Sequence, residues 1–455
     1  MKSAIAQEGS DEQVPKSRLF MPSADPFSAR LTHAFCHVFC LLGFIGLLVW
    51  NAYLAYELAT DLRMNDFGRF YYTAVAFLQG QEMYGPRPAE VVQPSELRTG
   101  QQLGNLNPPH FHLFVLPLAF LPPVLALGMW GVFSGSCLYY SLSVIKYESE
   151  LRVSPSRYWV VAVGLLSFTG TQMMLVTGQL SWLLFLPITL AWAAARRGRW
   201  SSAGRYLGFA MSVKLFLLIF LLYFVLQRQW RATVSAGMTL LICFTAGVLI
   251  FGIEAHRSWL ATLAAVNWTL GDTNVSILGF LTRILSANAA FASFIDAPYL
   301  IRPLWLLVVG FVGVLTFVAS VCCRLEVATI DRGFALLLLA ALLISPLGWT
   351  YYLWFPLGPF TALFCSWWGE KQRKAIVPLS SIQRWRDWLL LAATPGLVWP
   401  FLGTRLLQPH PWATVVFGSI YFWSTFLLWS ALIADWWVRG EMIVGDDVAK
   451  KTATL

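Results

Sequence analysis

The apolar runs of this chain are long enough to cross a membrane. The first run, 36–55, contains 20 consecutive residues without Asp, Glu, Lys or Arg, and about 20 apolar residues span a hydrocarbon core. Charged residues make up only 12% of the chain, against about 25% in soluble globular proteins. A membrane barrel would instead show alternating segments of about 10 residues, and the sequence lacks them. These features predict an all-α polytopic membrane protein.

The positive charges are grouped in a way that indicates membrane topology. The net charge is +9, and 23 of the 32 Lys and Arg residues fall in seven patches. The patches are the N-terminal tail, 146–157, 196–205, 228–231, 324–332, 371–386 and the C-terminal tail. They alternate with weakly basic loops, as expected when basic residues stay on the cytoplasmic side. The basicity therefore reflects topology, and no nucleic-acid partner is expected.

The same alternation predicts the domain organisation. We expect a cytoplasmic N-terminal tail over 1–32, a single transmembrane domain over 33–437 and a cytoplasmic C-terminal tail over 438–455. The transmembrane domain is expected to hold about 11–13 helices. Two long loops, 58–110 and 253–298, lie on the non-cytoplasmic side. The aromatic content of the first loop favours juxtamembrane helices that lie on the membrane surface.

The segment "LRMNDFGRFYYTA", 62–74, follows the first predicted crossing and carries Asp66, Arg69, Tyr71 and Tyr72. The carboxylate is either a solvated acid or a general base that deprotonates a hydroxyl group. If the segment is helical, Asp66 and Arg69 share a face, because residues three apart are neighbours. A cation beside the acid keeps it ionised and can also hold a phosphate.

Lys214 is the clearest charge inside an apolar stretch. The segment 203–226 has basic residues on both flanks but is long enough for only one crossing. We therefore expect two short helices that form a hairpin, with Lys214 near its deep point. A cation in apolar surroundings is costly and needs a partner. That partner is either an anionic ligand, such as a lipid phosphate, or an internal acid.

The second external loop contains "NVSILGFLTRIL", 274–285, a short amphipathic piece. Arg283 follows Ser276 by seven residues, which is two helical turns. Its guanidinium either binds a phosphate or diphosphate, or belongs to a plain surface arginine. Asn274, at the start of this piece, is a candidate lining residue of the substrate cavity.

Other polar and aromatic residues stand near predicted helix ends on the same side. Each has two interpretations. It is either a structural residue, as an interfacial side chain, a helix cap or part of an aromatic belt, or a residue that contacts a sugar or phosphate. The candidates are Asn107, His110 and His112 in "NLNPPHFHL", Gln179 in "TGQLS", and Trp349, Tyr351 and Tyr352 in "SPLGWTYY". Two histidines at a spacing of two residues do not share a helix face, so no metal site is expected.

The sequence carries no motif of a soluble catalytic domain. It has no glycine-rich phosphate loop, no Asp-x-Asp pair in the long loops, no metalloprotease helix signature and no serine hydrolase elbow. None of the predicted cytoplasmic loops is long enough for a domain that binds a nucleotide sugar. A sugar donor must then come from the membrane, which favours a lipid-linked one. No cofactor is expected.

Several short motifs, taken in chain order, resemble glycosyltransferase family 87 of the GT-C superfamily. They are "DFGRFYYTA…LQGQEMYG", "NPP…LPLAFLPP", "GQLSWLLFLPITLAWAAARRGRWSSAG", the interior lysine, "NVSILGFLTR" and "LLISPLGWTYY". The resemblance implies a GT-C fold and a polyprenyl-phosphate-mannose-dependent α-mannosyltransferase. Enzymes of this kind invert the anomeric centre and often need no metal.

The resemblance also implies roles for individual residues. Asp66 would be the acidic base in the first external loop. Lys214 or Arg283 would approach the donor phosphate, with Arg69 as a further cation. The turn 345–352 would line the cavity.

We therefore predict an integral protein of the inner or plasma membrane that transfers a hexose, mannose by family default. The donor is a polyprenyl-phosphate sugar, the acceptor is an envelope glycolipid or glycan, and membrane lipid surrounds the protein. The active site lies on the non-cytoplasmic side. The alternative is a polytopic transporter or lipid flippase for a glycolipid or polyprenyl-linked substrate, which would spread its charges through the spans and show related halves.

Overall fold

The computed structural model describes most of the chain. It covers residues 26–60, 65–84, 104–151, 153–154, 158–266, 268–288, 290–321, 325–373, 381–400 and 410–453, without the side chains of 26–40, 371–373 and 440–453. Up to residue 25, the predicted N-terminal tail lies outside the described residues. The chain divides into two compact units, Met1–Leu48 and Val49–Leu455. The described residues of the first unit are helical, and every candidate site residue belongs to the second.

The described residues are almost entirely helical. The α-helices are α1 (Pro26–Thr60), α2 (Asp66–Leu78), α3 (Pro123–Glu148), α4 (Tyr158–Ser167), α5 (Thr169–Thr177), α6 (Ser181–Arg196), α7 (Trp200–Val213), α8 (Ile219–Leu226), α9 (Trp230–Ala264), α10 (Ile277–Leu285), α11 (Ile301–Val321), α12 (Val327–Ile344), α13 (Leu357–Arg373), α14 (Ser381–Val398), α15 (Pro411–Val416) and α16 (Ile420–Ala453). Short 3₁₀ helices occupy Pro109–Phe114, Leu116–Phe120, Leu215–Leu218, Pro298–Leu300 and Thr350–Trp354. In the described parts of the chain, Asn274 and Trp349 form an isolated antiparallel β-bridge. The predicted all-α fold is confirmed.

Within the described ranges, five helical stretches are long and apolar enough to cross a membrane. They are Leu41–Thr60, Pro123–Glu148, Trp230–Ala264, Pro298–Val321 and Val327–Ile344. In α12, 78% of the apolar window is buried, against 17–28% in the other four, so α12 is the most enclosed of the five. These helices confirm a polytopic membrane protein. The expected total of about 11–13 transmembrane helices stays a prediction. It also counts helices that are shorter than the roughly 20 residues of a full span.

The apolar stretch 158–176 is broken into two helices, although its hydrophobic pattern is continuous. α4 and α5 form a 58° bend at Phe168, where the backbone is extended with φ −64° and ψ 126°. The hydroxyl groups of Thr169 and Thr171 donate to backbone carbonyls outside their own helix. Side-chain bonds of this kind compete with helical backbone bonds, and the apolar pattern alone does not reveal them.

The hairpin predicted over 203–226 is present. α7 ends at Val213, Lys214 has an extended backbone with φ −128° and ψ 101°, and the 3₁₀ turn Leu215–Leu218 leads into α8. The break in the helix therefore falls at Lys214, the charged residue in the middle of the segment.

α7 and α9 pack closely and run in the same direction. A Cβ atom on Gly204 would lie 2.2 Å from the Ala232 carbonyl oxygen, and one on Gly208 would lie 2.7 Å from that of Ala236. Small residues allow two membrane helices to approach this closely. Gly208 and Ala236 each lie four residues after the first contacting pair, so the two helices are parallel. The starts of α7 and α9 are therefore neighbours, and Lys214 lies at the far end of α7.

Both predicted external loops carry helices. The first contains α2, and the second begins where α9 kinks at Gly252 and later contains α10. Gly252 has φ 80° and ψ 164°, a conformation that glycine adopts without steric cost. The kink therefore separates the apolar part of α9 from the helical turns that follow it.

Candidate active site

α2 begins at Asp66 because Asn65 caps it. The Asn65 side chain accepts a hydrogen bond from the Gly68 backbone N–H at 2.8 Å and donates to the Leu58 carbonyl at 3.0 Å. Asparagine is among the strongest N-cap residues, and the helix dipole favours an acid in the first turn. The cap therefore fixes the Asp66 carboxylate relative to the end of α1.

Two donors hold the Asp66 carboxylate, which stays partly open. Arg69 Nη1 donates to one oxygen at 3.0 Å, and Gln179 Nε2 donates to the other at 2.8 Å. Both contacts stabilise negative charge on the carboxylate. The Asp66 side chain is 18% exposed, so a bound hydroxyl group can still reach it. The contact with Arg69 is the i, i+3 pair that the sequence indicated.

Gln179 connects Asp66 to the aromatic turn at 349–352. Its Nε2 also donates to the Tyr351 hydroxyl at 3.1 Å, and its Oε1 accepts from the Leu180 backbone N–H at 2.9 Å. The side chain is buried. Both amide protons and the amide oxygen are thus engaged within the protein, so Gln179 orients its neighbours.

Gly178 permits this close approach. It has φ +61°, and a Cβ atom there would lie 2.7 Å from Cβ of Phe67 in α2. Its carbonyl accepts a hydrogen bond from Trp130 Nε1 at 2.9 Å. Glycine fits a left-handed conformation without the clash of a side chain. The turn at Gly178 is therefore packed directly against the helix that carries Asp66.

Replacing Gln179 by leucine is expected to lower sugar transfer about 10- to 100-fold, because a small loss of alignment is costly in a reacting complex. Initial rates of the purified protein in a transfer assay test this effect. Gln227→Leu is the matched control, because Gln227 donates to the Ser320 carbonyl. A rate equal to that of the control would show that Gln179 does not position Asp66.

Lys214 brings a positive charge to the same region. Its Nζ donates to Asn107 Oδ1 at 2.8 Å and lies 5.5 Å from the centre of the Tyr352 ring. The Asp66 carboxylate is close enough for its charge to act on this ammonium group. Within the described parts of the chain no carboxylate forms an ion pair with Lys214. Its expected role in holding an anionic ligand stays a prediction, and the contacts favour it over an internal salt bridge.

Asn105 and Tyr84 hold Asn107 in place for Lys214. Asn105 Oδ1 accepts from both the backbone N–H and the side-chain Nδ2 of Asn107, each at 3.0 Å. The Tyr84 hydroxyl donates to the Asn107 carbonyl at 2.6 Å. These bonds turn Asn107 Oδ1 toward the ammonium group. No sequence motif marks Asn105 or Tyr84 as functional, and the local signal for Asn105 is its place two residues before Asn107.

The aromatic residues of the turn after α12 form one wall of this region. Trp349 and Tyr351 are stacked with ring centres 6.3 Å apart, and Tyr351 and Tyr352 meet edge to face at 4.6 Å. Tyr351 contacts Gln179 and Tyr352 faces Lys214. The structure therefore brings the predicted aromatic turn to both polar centres.

His110 and His112 are buried next to these centres. His110 Nε2 donates to the Ser212 carbonyl at 3.0 Å, two residues before Lys214. Burial lowers the pKa of His110 to about 4, so the ring is neutral at neutral pH and brings no positive charge for a phosphate. His112 Nε2 lies 2.7 Å from Asn105 Nδ2, which donates the hydrogen bond. Both histidines support the segment that carries Asn107.

Tyr71 and Tyr72 lie side by side on α2. The Tyr71 hydroxyl donates to the Leu121 carbonyl at 2.7 Å, and its ring meets that of Tyr72 edge to face at 5.2 Å. Tyr71 is buried and Tyr72 is partly exposed. Tyr71 thus fixes α2 on the following segment, and Tyr72 is the more accessible of the two cavity candidates.

Arg283 is fully buried in the loop 253–298. Its Nη1 donates to the carbonyls of Gly271 and Asn274 at 2.8 and 3.1 Å, and its Nε donates to the Ser419 hydroxyl at 3.2 Å. Burial lowers the pKa of Arg283 to about 10 and the charge of Asp272 opposes this, so the guanidinium stays charged at neutral pH. The surface-arginine interpretation is wrong, because the side chain is 0% exposed. Contact with a donor phosphate stays a prediction for Arg283.

Asn274 connects the loop 253–298 to the aromatic turn. Its Oδ1 accepts from the backbone N–H groups of Ser276 and Gly348 at 3.1 and 3.0 Å. Its Nδ2 donates to the carbonyls of Thr269 and Pro346 at 3.0 Å each. Every polar atom of the side chain is therefore bonded within the protein, and Asn274 positions the turn that carries the aromatic wall.

Comparison with known proteins gives this arrangement a family. Residues 105–346, more than half of the chain, match the family model of Glycosyltransferase family 87. The matched part contains Asn107, Gln179 and Lys214, whereas Asp66 precedes it. No solved structure matches the chain.

A curated relative carries a more specific description. The chain is 25% identical over 272 residues to the polyprenol-phosphate-mannose-dependent alpha-(1-2)-phosphatidylinositol pentamannoside mannosyltransferase of Mycolicibacterium smegmatis (strain ATCC 700084 / mc(2)155). The aligned region covers 56% of this chain and 62% of the relative, which is less than two thirds of that protein's length. On the strength of the family match, the chain belongs to glycosyltransferase family 87.

Proposed function

We propose that the protein is an integral-membrane glycosyltransferase that uses a polyprenyl-phosphate sugar as its donor. It transfers a hexose, with mannose as the first candidate, to a glycolipid or glycan acceptor. The observation that carries the proposal is the presence of two opposite charges in one region. Asp66, held by Arg69 and Gln179, is close enough for its charge to act on the Lys214 ammonium group, and in the described parts of the chain no carboxylate forms an ion pair with Lys214.

The proposed reaction is a direct displacement at the anomeric carbon. Asp66 accepts the proton of the acceptor hydroxyl while the hydroxyl oxygen forms a bond to C1 of the sugar. The bond between C1 and the phosphate oxygen breaks, and polyprenyl phosphate leaves with the electron pair of that bond. Attack from the side opposite the leaving group inverts the anomeric centre.

Lys214 is suited to the leaving phosphate. The donor is a phosphodiester with one negative charge, and the product is a phosphomonoester whose charge approaches two. A fixed cation in a water-poor site stabilises charge that develops during the reaction. Asn107 and Tyr352 hold the ammonium group in position without neutralising it.

The lipid-linked donor fits the surroundings of the site. The chain has helices that are long and apolar enough to enter a membrane, and the name of the mycobacterial relative specifies a polyprenol-phosphate-mannose donor. We further propose that the site opens on the non-cytoplasmic side, because Asp66 and the aromatic turn belong to weakly basic segments and the basic patches lie on the other side.

The experiment that tests this function is a transfer assay with purified protein in lipid vesicles. The vesicles carry polyprenyl-phosphate mannose or polyprenyl-phosphate glucose, and the acceptor is a lipid and glycan extract from cells that lack the protein. We expect a product that is larger by one hexose, together with release of polyprenyl phosphate, both detected by mass spectrometry. Movement of the donor across the bilayer without release of polyprenyl phosphate would support a flippase instead. Transfer only from a nucleotide sugar would also contradict the proposal.

A further inference from the structure

A cavity lies where α7 and α9 begin. It has a volume of about 690 Å³, and its lining includes Arg199, Trp200, Arg228, Trp230 and Arg231. α7 has 14 residues, and a rise of 1.5 Å per residue puts Lys214 about 20 Å away. The cavity is therefore separate from the candidate active site.

Two turns of the same geometry build this cavity. The turn before α7 and the turn before α9 each hold a residue at positive φ, Gly198 at 67° and Arg228 at 54°. The residue that precedes each helix also has matching angles, φ −86° and ψ 64° at Arg199 and φ −85° and ψ 63° at Gln229. Each of these two residues donates its backbone N–H to a carbonyl five positions earlier, at 2.8 Å in both cases. The two turns thus lie side by side in the same orientation.

The identity of Arg228 is informative at this position. A positive φ is uncommon for residues other than glycine, and the equivalent position of the other turn is glycine. The chain therefore keeps a long cationic side chain where glycine would fit with less strain. This favours a use for the guanidinium group at the cavity.

The cavity carries positive charge from arginines that have no acidic partner. The chain contains no Asp or Glu from residue 151 to residue 253. Arg199, Arg228 and Arg231 are exposed, and in the described parts of the chain none of them forms an ion pair. Arg196 and Arg197, just before the cavity, by contrast pair with Asp331 and Glu148. Three arginines that line one cavity suit the binding of a phosphate group, which a guanidinium can hold through two hydrogen bonds.

The surface beside the cavity is apolar and belongs to a candidate membrane span. On α9, Val234 is 64%, Met238 is 52% and Ile242 is 61% exposed, and these residues stand four apart on one face of the helix. Trp230 at the rim is 58% exposed, and tryptophan is enriched at the level of lipid headgroups. A molecule in the cavity could therefore place a phosphate on the arginines and acyl chains along α9.

We propose that this cavity binds the phosphate group of an anionic phospholipid, with the headgroup between the two turns. A free phosphate ion shares the same chemistry, but it would gain nothing from the apolar face of α9. The lipid would bind at the start of α7, whereas Lys214 lies at the other end of the same helix. It would thereby attach the open end of the hairpin to the membrane surface.

The test measures lipid retention by native mass spectrometry. Wild-type protein and the variant Arg199→Gln/Arg228→Gln/Arg231→Gln are exchanged into mixtures of phosphatidylglycerol and phosphatidylcholine. Each basic residue near a headgroup adds to lipid affinity, so we expect the triple variant to bind phosphatidylglycerol about 10- to 100-fold more weakly. The control is Lys146→Gln/Arg302→Gln/Arg384→Gln, which removes the same charge from exposed positions. Thermal unfolding and size-exclusion profiles show that both variants remain folded.

The outcomes separate the proposal from its rivals. Retention of phosphatidylglycerol by wild type and control, with loss in the cavity variant, supports the site. Equal loss in both variants would show only an effect of net charge and would overturn it. Displacement of the lipid by millimolar inorganic phosphate, or binding of phosphate alone, would show a free-anion site and would also overturn it.

Discussion

Replacement of Asp66 by asparagine is expected to lower sugar transfer by about 10²- to 10⁴-fold, the range of general-base contributions. Asparagine has the shape of aspartate but cannot take up the proton of the acceptor hydroxyl. Its oxygen can still accept from Arg69, whereas its amide group would meet the Nε2 donor of Gln179, which now bonds to the second carboxylate oxygen. The chemical step should therefore fail while the helix cap at Asn65 remains.

The assay for this variant compares rates and folding together. Purified Asp66→Asn protein is tested with saturating donor and acceptor, and its unfolding temperature is measured in the same detergent. Asp296→Asn is the matched control, because Asp296 is an exposed acid in the loop 253–298 whose oxygen accepts a hydrogen bond from the Ala287 N–H. Asparagine can keep that bond. Turnover by Asp66→Asn at the rate of the control would remove Asp66 from the mechanism.

Replacement of Lys214 by glutamine is expected to lower kcat/KM for the donor about 10²-fold, the size of effect seen when one charged donor in a reacting site is lost. The negative charge on the phosphate grows as the sugar leaves, so kcat should fall by more than KM rises. Lys214→Arg keeps the charge but changes its shape and reach, so its activity should lie between those of the wild type and the glutamine variant.

Two controls make this result specific. Lys146→Gln removes an exposed lysine near Tyr158 and should leave the kinetics unchanged. Asn107→Asp would place an acid beside the Lys214 ammonium group, which now bonds to the amide oxygen at 2.8 Å, and it should weaken donor binding by neutralising the cation. Full activity of Lys214→Gln, or equal activity of the arginine and glutamine variants, would contradict a role for Lys214 at the donor phosphate.

The sequence was informative wherever a charge interrupts an apolar pattern. The basic residues on both flanks of 203–226 predicted two short helices with Lys214 near the turn between them, and the helix breaks at that residue. The spacing of Asp66 and Arg69 predicted a shared helix face, and the two side chains form an ion pair. Both inferences depend on local geometry, which the order of residues determines.

Contacts between distant segments could not be predicted in the same way. Gln179 reaches Asp66 across 113 positions and Tyr351 across 172, and nothing in its own short motif specifies those partners. The amphipathic pattern around Arg283 could not show that the charged side would be enclosed by the loop and Ser419. The bend at Phe168 depends on hydroxyl groups that bond to backbone outside their own helix, and the apolar run gives no sign of it.

The central claim is most directly tested by a cryo-electron microscopy structure of the protein with polyprenyl phosphate in a lipid bilayer. We predict that the phosphate lies within hydrogen-bond distance of Lys214 Nζ, about 3 Å, with the isoprenoid between helices and Asp66 facing the space left by the sugar. A phosphate bound away from Lys214, with Asp66 closed off from the lipid headgroup, would contradict the account.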